Sequence, residues 1–220
     1  MTEEAMTEDA MAAEREHIPI APSVLYVGTP VVLVTTVNPD GTTNISPMSS
    51  AWALFDRVIL GMTSTSQGRE NLVRDGGLVM NFPSADLWPK VEALARSTGR
   101  DPVPAHKRQI GYEFDAAKFA RAGFTPQRAE RVRPLRIAEC PIQFEAEVVA
   151  VHDPGGEWPA DRPEGFQIVE TRVVRVHGHR GVVIPRTNHI DTARWNPLLY
   201  VFRHYFGTGA DLGRTFKAEA

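Results

Sequence analysis

The sequence predicts a mostly β chain, an antiparallel barrel or sandwich, on three observations. Apolar, β-branched runs of strand length recur along its 220 residues, tight turns join several of them, and helical periodicity is confined to short stretches. Neither a strand–GxGxxG–helix unit nor a Walker A sequence occurs, which argues against a Rossmann or P-loop domain.

VVLVTTV (31–37) reads as a buried strand. Asn38-Pro39-Asp40-Gly41 is a hairpin turn, because proline presets φ and glycine accepts the left-handed position. TTNISPM (42–48) returns as its partner, and Pro47, which lacks an N–H, is expected to end the pairing. RVILGM (57–62) and GLVMNF (77–82) are further strands. Between them a short helix through Leu72 and Val73 stops at Gly76-Gly77. Residues 84–134 form a helical or irregular excursion. Within it Leu87, Val91, Leu94 and Ala95 have helical spacing, and 116–122 repeats the habit. IQFEAEVVAVH (142–152) and FQIVETRVVRVH (166–177) are long strands across a Gly/Pro-rich turn. GVVI (181–184) is a candidate short strand, and PLLYVFRHYFG (197–207) closes the core.

At 42% hydrophobic and 23% charged, the chain has an ordinary globular composition and enough length for a core without disulfides or structural metal. Its one cysteine, Cys140, excludes an internal disulfide and is expected to be an inert structural thiol. Residues 1–17 hold six acidic side chains against one arginine and read as a solvated, disordered tail. Residues 18–220 then form one nearly neutral domain, without the basic footprint of a nucleic-acid binder. No apolar run approaches the ~18 residues of a membrane span, and the start lacks a signal peptide's basic and apolar regions. A cytoplasmic protein is the expectation.

Two segments carry chemistry. Thr63-Ser64-Thr65-Ser66-Gln67-Gly68-Arg69 leaves a strand and opens a helix, so hydroxyls and unpaired N–H groups converge where a phosphate would sit, with Arg69 beside them. A plain helix cap, with Ser64 and Gln67 as a capping box, fits the same residues and is the simpler reading on them alone. Asn44-Ile45-Ser46-Pro47-Met48-Ser49-Ser50 breaks a strand with small hydroxyl residues, offering polar backbone to a flat heteroaromatic ring or forming a wide turn. The histidines say less. His177 and His179 share a strand face but lack a third ligand of convincing spacing. His189 belongs to a loop, and His204 lies in the aromatic run Phe202–Phe206, which lines a pocket or packs. No GxSxG elbow, HExxH motif or credible triad is present.

Taken in order, these segments resemble the flavin reductase-like family of FMN-binding split barrels. The resemblance rests on Asn44-x-Ser46-Pro47-x-Ser49-Ser50, the Ser-rich loop leading to Glu70-Asn71-Leu72, and Val79–Ser84. It continues through Asp115–Phe119, Ala122–Pro126, Glu139-Cys140-Pro141 and Pro197–Gly207, and covers about residues 20–213. It implies a Greek-key antiparallel split β-barrel with a few peripheral helices, working as a homodimer with FMN near the subunit interface. It also turns the 63–69 loop from cap to phosphate site. The family often carries Thr where this chain has Gly68, so Ser66 and Gln67 must donate more.

The resulting expectation is an FMN-binding oxidoreductase, an NAD(P)H-dependent flavin reductase, with FAD as the alternative flavin. Ser64, Thr65, Ser66, Gln67 and Arg69 are assigned to phosphate, and Asn44, Ser46, Pro47, Met48, Ser49 and Ser50 to the ring. Asn81 is assigned to the ribityl chain or its neighbours, and His204 to the pocket. No obligatory acid–base residue is expected, because the flavin carries the redox chemistry. A monooxygenase receiving reduced flavin is a candidate partner. The rival readings are an FMN-binding electron carrier, a non-catalytic subunit, and a split barrel holding another ligand such as haem or a deazaflavin.

Overall fold

In the computed structural model of the chain, residues 15–158, 165–213 and 215 are described; most of the acidic segment at 1–17 lies outside them. The chain runs through β1 (Val27–Pro30), β2 (Val32–Val37) and β3 (Thr43–Met48), then β4 (Ala51–Leu54) and β5 (Arg57–Thr63). Helix α1 (Gln67–Asp75) leads to β6 (Gly77–Phe82). The excursion contains α2 (Trp88–Glu92), β7 (Ser97–Thr98), α3 (Ala105–Gln109), β8 (Glu113–Phe114), α4 (Lys118–Ala122) and β9 (Pro126–Gln127), and β10 (Arg136–Ile137) follows it. The long pair β11 (Ile142–His152) and β12 (Phe166–Gly178) follows, then the hairpin β13 (Leu199–Val201) and β14 (His204–Phe206).

Seven strands form one antiparallel sheet in the order β3-β2-β6-β11-β12-β5-β4. β3 and β4 stand at opposite edges, yet only Ser49 and Ser50 join them. A link this short forces the sheet to curl until its edges approach. The β4–β5 ladder extends one step into this link, where the Gly61 N–H donates to the Ser50 carbonyl at 2.8 Å. The fold is thus mostly β, a curled antiparallel half-barrel with few helices.

The apolar run at 31–37 is buried on both faces. Val32 and Val34 point into the barrel with Leu60, Leu78 and Met80, and Val31 and Leu33 point outward. The excursion and β10 cover that outer face, packing Val91, Leu94, Ala122, Phe124 and Ile137 on Leu33 and Ile45. Burying each Leu, Ile, Val or Phe contributes about 1.5–3 kcal/mol, which accounts for both sheet faces being apolar here. Buried Glu145 ties the excursion down. Its carboxylate accepts the N–H groups of Glu130 and Arg131 and meets His177 Nε2 at 2.6 Å. Burial pushes that carboxyl up, but these donors outweigh burial and hold it below its usual range.

The 38–41 turn forms as expected, with Gly41 at φ +85° and its N–H on the Asn38 carbonyl at 3.0 Å. Helix α1 ends on Gly76 in the left-handed conformation. Buried Asn71 pins that helix to the turn, donating to Thr36 Oγ1 at 3.0 Å and Asn38 Oδ1 at 2.8 Å.

Two expectations need correction, at Pro47 and at residues 181–184. Pairing does not stop at Pro47, which faces Leu33 while Met48 still faces Val32. β3 is an edge strand, and the Ile45 carbonyl points off that edge to Lys118. Two residues on, the missing N–H of Pro47 falls on the same open side, where no ladder bond is lost. Residues 181–184 form no strand, only the single bridge Val183–Ile190. Residues 197–207 are a hairpin, because Phe202 and Arg203 turn at φ +42° and +71°. Finally, β1 and β4 are strands the sequence reading did not assign. β4 is an apolar run only four residues long, Ala-Trp-Ala-Leu, and it leaves Trp52 and Leu54 exposed.

Candidate functional site

A cleft of about 480 Å³ follows the open edge of β3 to the start of α1. Its floor is Asn44, Ser46, Pro47 and Met48 of β3, the Ser49-Ser50 seam, and Gly61–Thr63 of β5. One end is the helix N-terminus, Ser66, Gln67 and Gly68. The excursion supplies a wall including Leu94, Thr98, Gly99, Lys107, Tyr112 and Lys118, and Tyr26, Tyr200 and Tyr205 stand at the far side. The volume lies within the usual range for small-molecule sites.

The helix begins two residues later than a Ser64–Gln67 box requires, with Ser66 as its N-cap. The Ser66 N–H closes a turn on the Thr63 carbonyl at 3.0 Å, and Ser66 Oγ then accepts the Arg69 N–H at 3.3 Å. Cap and ligand site are compatible. The capping oxygen accepts from the helix and keeps its own O–H to donate, while the first N–H groups of α1 have no partner carbonyl inside the helix. The helix end is therefore a positive, donor-rich wall.

Asn44 is 3% exposed; its Nδ2 donates to Ser46 Oγ at 3.0 Å and its Oδ1 has no hydrogen-bond partner among the described residues. A buried acceptor left unpaired costs about 1–3 kcal/mol, so it calls for a ligand hydroxyl or N–H. Gly99 and Gly68 keep this end open. A Cβ at Gly99 would sit 2.5 Å from Asn44 Oδ1, and one at Gly68 would sit 2.7 Å from Ser46 Oγ. Ser46 thus brings a hydroxyl to the space that a side chain at 68 would fill.

Lys118 is 4% exposed and donates to the Ile45 carbonyl at 2.8 Å. Burial brings its ammonium down to about 8. Lys107 lies 5.8 Å over the Tyr112 ring. No aspartate or glutamate lines the cleft among the described residues. The four tyrosines offer flat faces, and the Tyr26 hydroxyl lies 2.7 Å from Ser50 Oγ. Burial raises the hydroxyl pKa values of Tyr200 and Tyr205, so both remain neutral at physiological pH.

Of the thirteen sequence candidates, the cleft gathers Asn44, Ser46, Pro47, Met48, Ser49, Ser50, Ser66 and Gln67. Ser64 turns its N–H to the Gly165 carbonyl at 3.3 Å, and Thr65 lies in the turn before the helix; neither lines the cleft. Arg69 reaches across to Gln167, 2.5 Å from Nε to Oε1. Asn81 is spent on structure: its Nδ2 donates to the Leu33 carbonyl and its Oδ1 accepts the Ile137 N–H, both at 2.9 Å. His204 is exposed on β14, outside the cleft. His177 is engaged with Glu145, and His179 Nε2 lies 2.8 Å from the Ala138 carbonyl. Cys140 is fully buried, and burial raises its thiol pKa, leaving it unreactive.

Lys118, Lys107 and the tyrosines were missed as site residues. A lysine inside the short Ala116–Ala122 helix was the available signal, since a cation on a mostly apolar turn must go somewhere. Tyr26, Tyr112, Tyr200 and Tyr205 are far apart in sequence, and only folding brings them together.

The flavin reductase-like domain family matches residues 24–209. The uncharacterized protein YdfE of Bacillus subtilis (strain 168) is 44% identical over 200 residues, 91% of this chain and 93% of that protein. Flavoredoxin of Desulfovibrio vulgaris (Miyazaki F) superposes with a TM-score of 0.73 at 17% identity, over 92% of this chain and 98% of its own. Nitrilotriacetate monooxygenase component B from Bacillus cereus does so with 0.68 at 17% identity, over 97% and 95%. Among the described residues, no helix is long and apolar enough to cross a membrane.

Proposed function

Because the chain belongs to the flavin reductase-like family, we propose that it binds FMN in this cleft and works as an NAD(P)H-dependent flavin reductase. One observation carries the reading: the cleft combines two lysines and a helix N-terminus with four tyrosine rings, and no aspartate or glutamate lines it among the described residues. That set suits a ligand both anionic and aromatic. The fit extends to detail. Ser66, Gln67 and Gly68 are suited to the phosphate, Asn44 Oδ1 to a ribityl hydroxyl, and the Ser46–Ser50 edge with the tyrosines to the ring.

Bound flavin supplies hydride and electron transfer. The protein's part is to hold the ring against the β3 edge, keep water off one face, and leave room for a nicotinamide. No side chain in the cleft needs to move a proton for that.

Assembly and partners belong to the same reading. A second, apolar hollow of about 290 Å³ is lined by Trp52, Phe82, Phe144, Trp195 and neighbours, and Phe55 is 96% exposed at the adjoining hairpin tip. A second copy of the chain would cover this surface, giving a homodimer. Supply of reduced flavin to a monooxygenase, in the cytoplasm, is the physiological role that suits a two-component system.

The test is direct. The purified protein should be yellow or become so with FMN, bleach with NADH or NADPH, and turn over free flavin. A yellow protein inert to both nicotinamides is a carrier; one that takes up no flavin overturns the reading.

A further inference from the structure

A row of aromatic rings leads out of the cleft. Tyr26, Tyr200 and Tyr205 line its far side. Their centroids follow one another at 5.5 Å from Tyr26 to Tyr200 and 5.7 Å from Tyr200 to Tyr205. Trp88 continues the row 6.3 Å beyond Tyr205, and it is 49% exposed. These spacings are those of rings in contact, and they have local causes. Tyr200 and Tyr205 are cross-strand partners in the β13–β14 hairpin. Trp88 and Glu92 are the first and last residues of α2, at i and i+4, so they share one side of it. From there Trp88 meets the Tyr205 ring, and Glu92 Oε2 accepts the Tyr205 hydroxyl at 3.1 Å.

Rings in contact pass single electrons, and indole and phenol both give one up to a strong oxidant. A phenol does so only if its proton leaves as well. Burial keeps the Tyr205 hydroxyl protonated, and the Glu92 carboxylate is placed to receive that proton.

We propose that Tyr26, Tyr200, Tyr205 and Trp88 form a one-electron relay between the cleft and the surface, with Glu92 as the base for Tyr205. The oxidant in the cleft is a flavin excited by blue light, an identification that rests on the function proposed above; the relay itself rests on the rings. An electron leaves Tyr200 for the flavin and is replaced from Tyr205, whose proton passes to Glu92. Trp88 then replaces the electron on Tyr205, which takes its proton back, and the oxidised indole releases its N–H proton to water. A small reductant such as ascorbate returns one electron to Trp88, and water returns the proton. The sum is one electron moved from the solution to the cleft.

The experiment oxidises the surface end without any flavin. Ruthenium(III) tris-bipyridine, generated by a light flash, takes one electron from Trp88 in the ligand-free protein, and time-resolved absorption separates indolyl from tyrosyl radicals. In wild type the indolyl radical should decay into a tyrosyl radical. Tyr205→Phe keeps the ring but resists oxidation, so the indolyl radical should persist and the tyrosyl signal be lost. Trp88→Phe should lower the tyrosyl yield, whereas Trp52→Phe, at the apolar hollow, should not. Glu92→Gln keeps an acceptor for the hydroxyl but no base, so the tyrosyl radical should form more slowly. A tyrosyl signal absent from wild type, or undiminished in Tyr205→Phe or Trp88→Phe, overturns the relay; a rate unmoved in Glu92→Gln refutes the base. A second arm illuminates the FMN complex with blue light in the presence of ascorbate. Bound flavin should be reduced more slowly in Trp88→Phe than in wild type, and equal rates overturn the route to the cleft. Should wild type take up no flavin, the function proposed above fails, and the flash experiment still decides the relay.

Discussion

Replacing Lys118 with Met should make the ligand-free protein more stable, although it removes a hydrogen bond. The native ammonium is brought from its ordinary 10.5 to about 8, chiefly by burial. At 1.36 kcal/mol per pKa unit, keeping it charged costs roughly 3 kcal/mol at pH 7. The lost bond to the Ile45 carbonyl is worth about 1 kcal/mol. The net gain is roughly 2 kcal/mol, or about 4–8 °C in Tm for a chain of this size. The sign with pH is a sharper check. Between pH 8 and 10.5 the unfolded chain binds more protons than the native one, so wild-type stability rises through that window and is penalised in full below it. Calorimetry of both proteins without ligand should show the Met variant ahead at pH 7 and the gap largely closed by pH 10.5. A Met variant less stable than wild type at pH 7, or a gap that ignores pH, would refute the reasoning.

Other outcomes follow from the same geometry. Ser66→Ala should weaken FMN by at least about tenfold while riboflavin binds as before, measured by fluorescence titration; the lost cap should also cost about 1 kcal/mol of stability. Glu145→Gln should cost about 2–3 kcal/mol in urea unfolding at pH 7, because a charged acceptor of buried N–H groups is lost. Since the native carboxyl lies below its usual range, its contribution is present above the unfolded pKa near 4.3 and fades as pH falls through the native value. The Gln variant should therefore show a flatter acid limb. Light scattering should give a dimer mass at micromolar concentration, and Trp52→Asp with Phe55→Asp should shift it toward the 24.3 kDa monomer; an unaltered dimer would place the interface elsewhere.

The sequence by itself determined the strands and the polar rim. VVLVTTV, RVILGM and GLVMNF announce themselves because strands buried on both faces, or nearly so, must be continuously apolar. The Asn38–Gly41 turn and the Gly76 stop follow from φ preferences that act within a few residues. Asn44 to Ser50 and Ser66-Gln67 were legible for the same reason: a strand end or helix start exposes backbone wherever it occurs. Tertiary structure decided the rest. Asn81 looked like a ligand contact, but its position in a central strand gives both ends of its amide to the Leu33 carbonyl and the Ile137 N–H. Arg69 looked like a phosphate cation, yet the helix phase sends it to Gln167, 98 residues away. Lys118 shares a short, otherwise apolar helix with Arg121, and only the packing of the excursion on the outer face of β2 and β3 carried it to the cleft. Local signals report what a residue does to its own backbone; charge and burial depend on what the far chain brings against it.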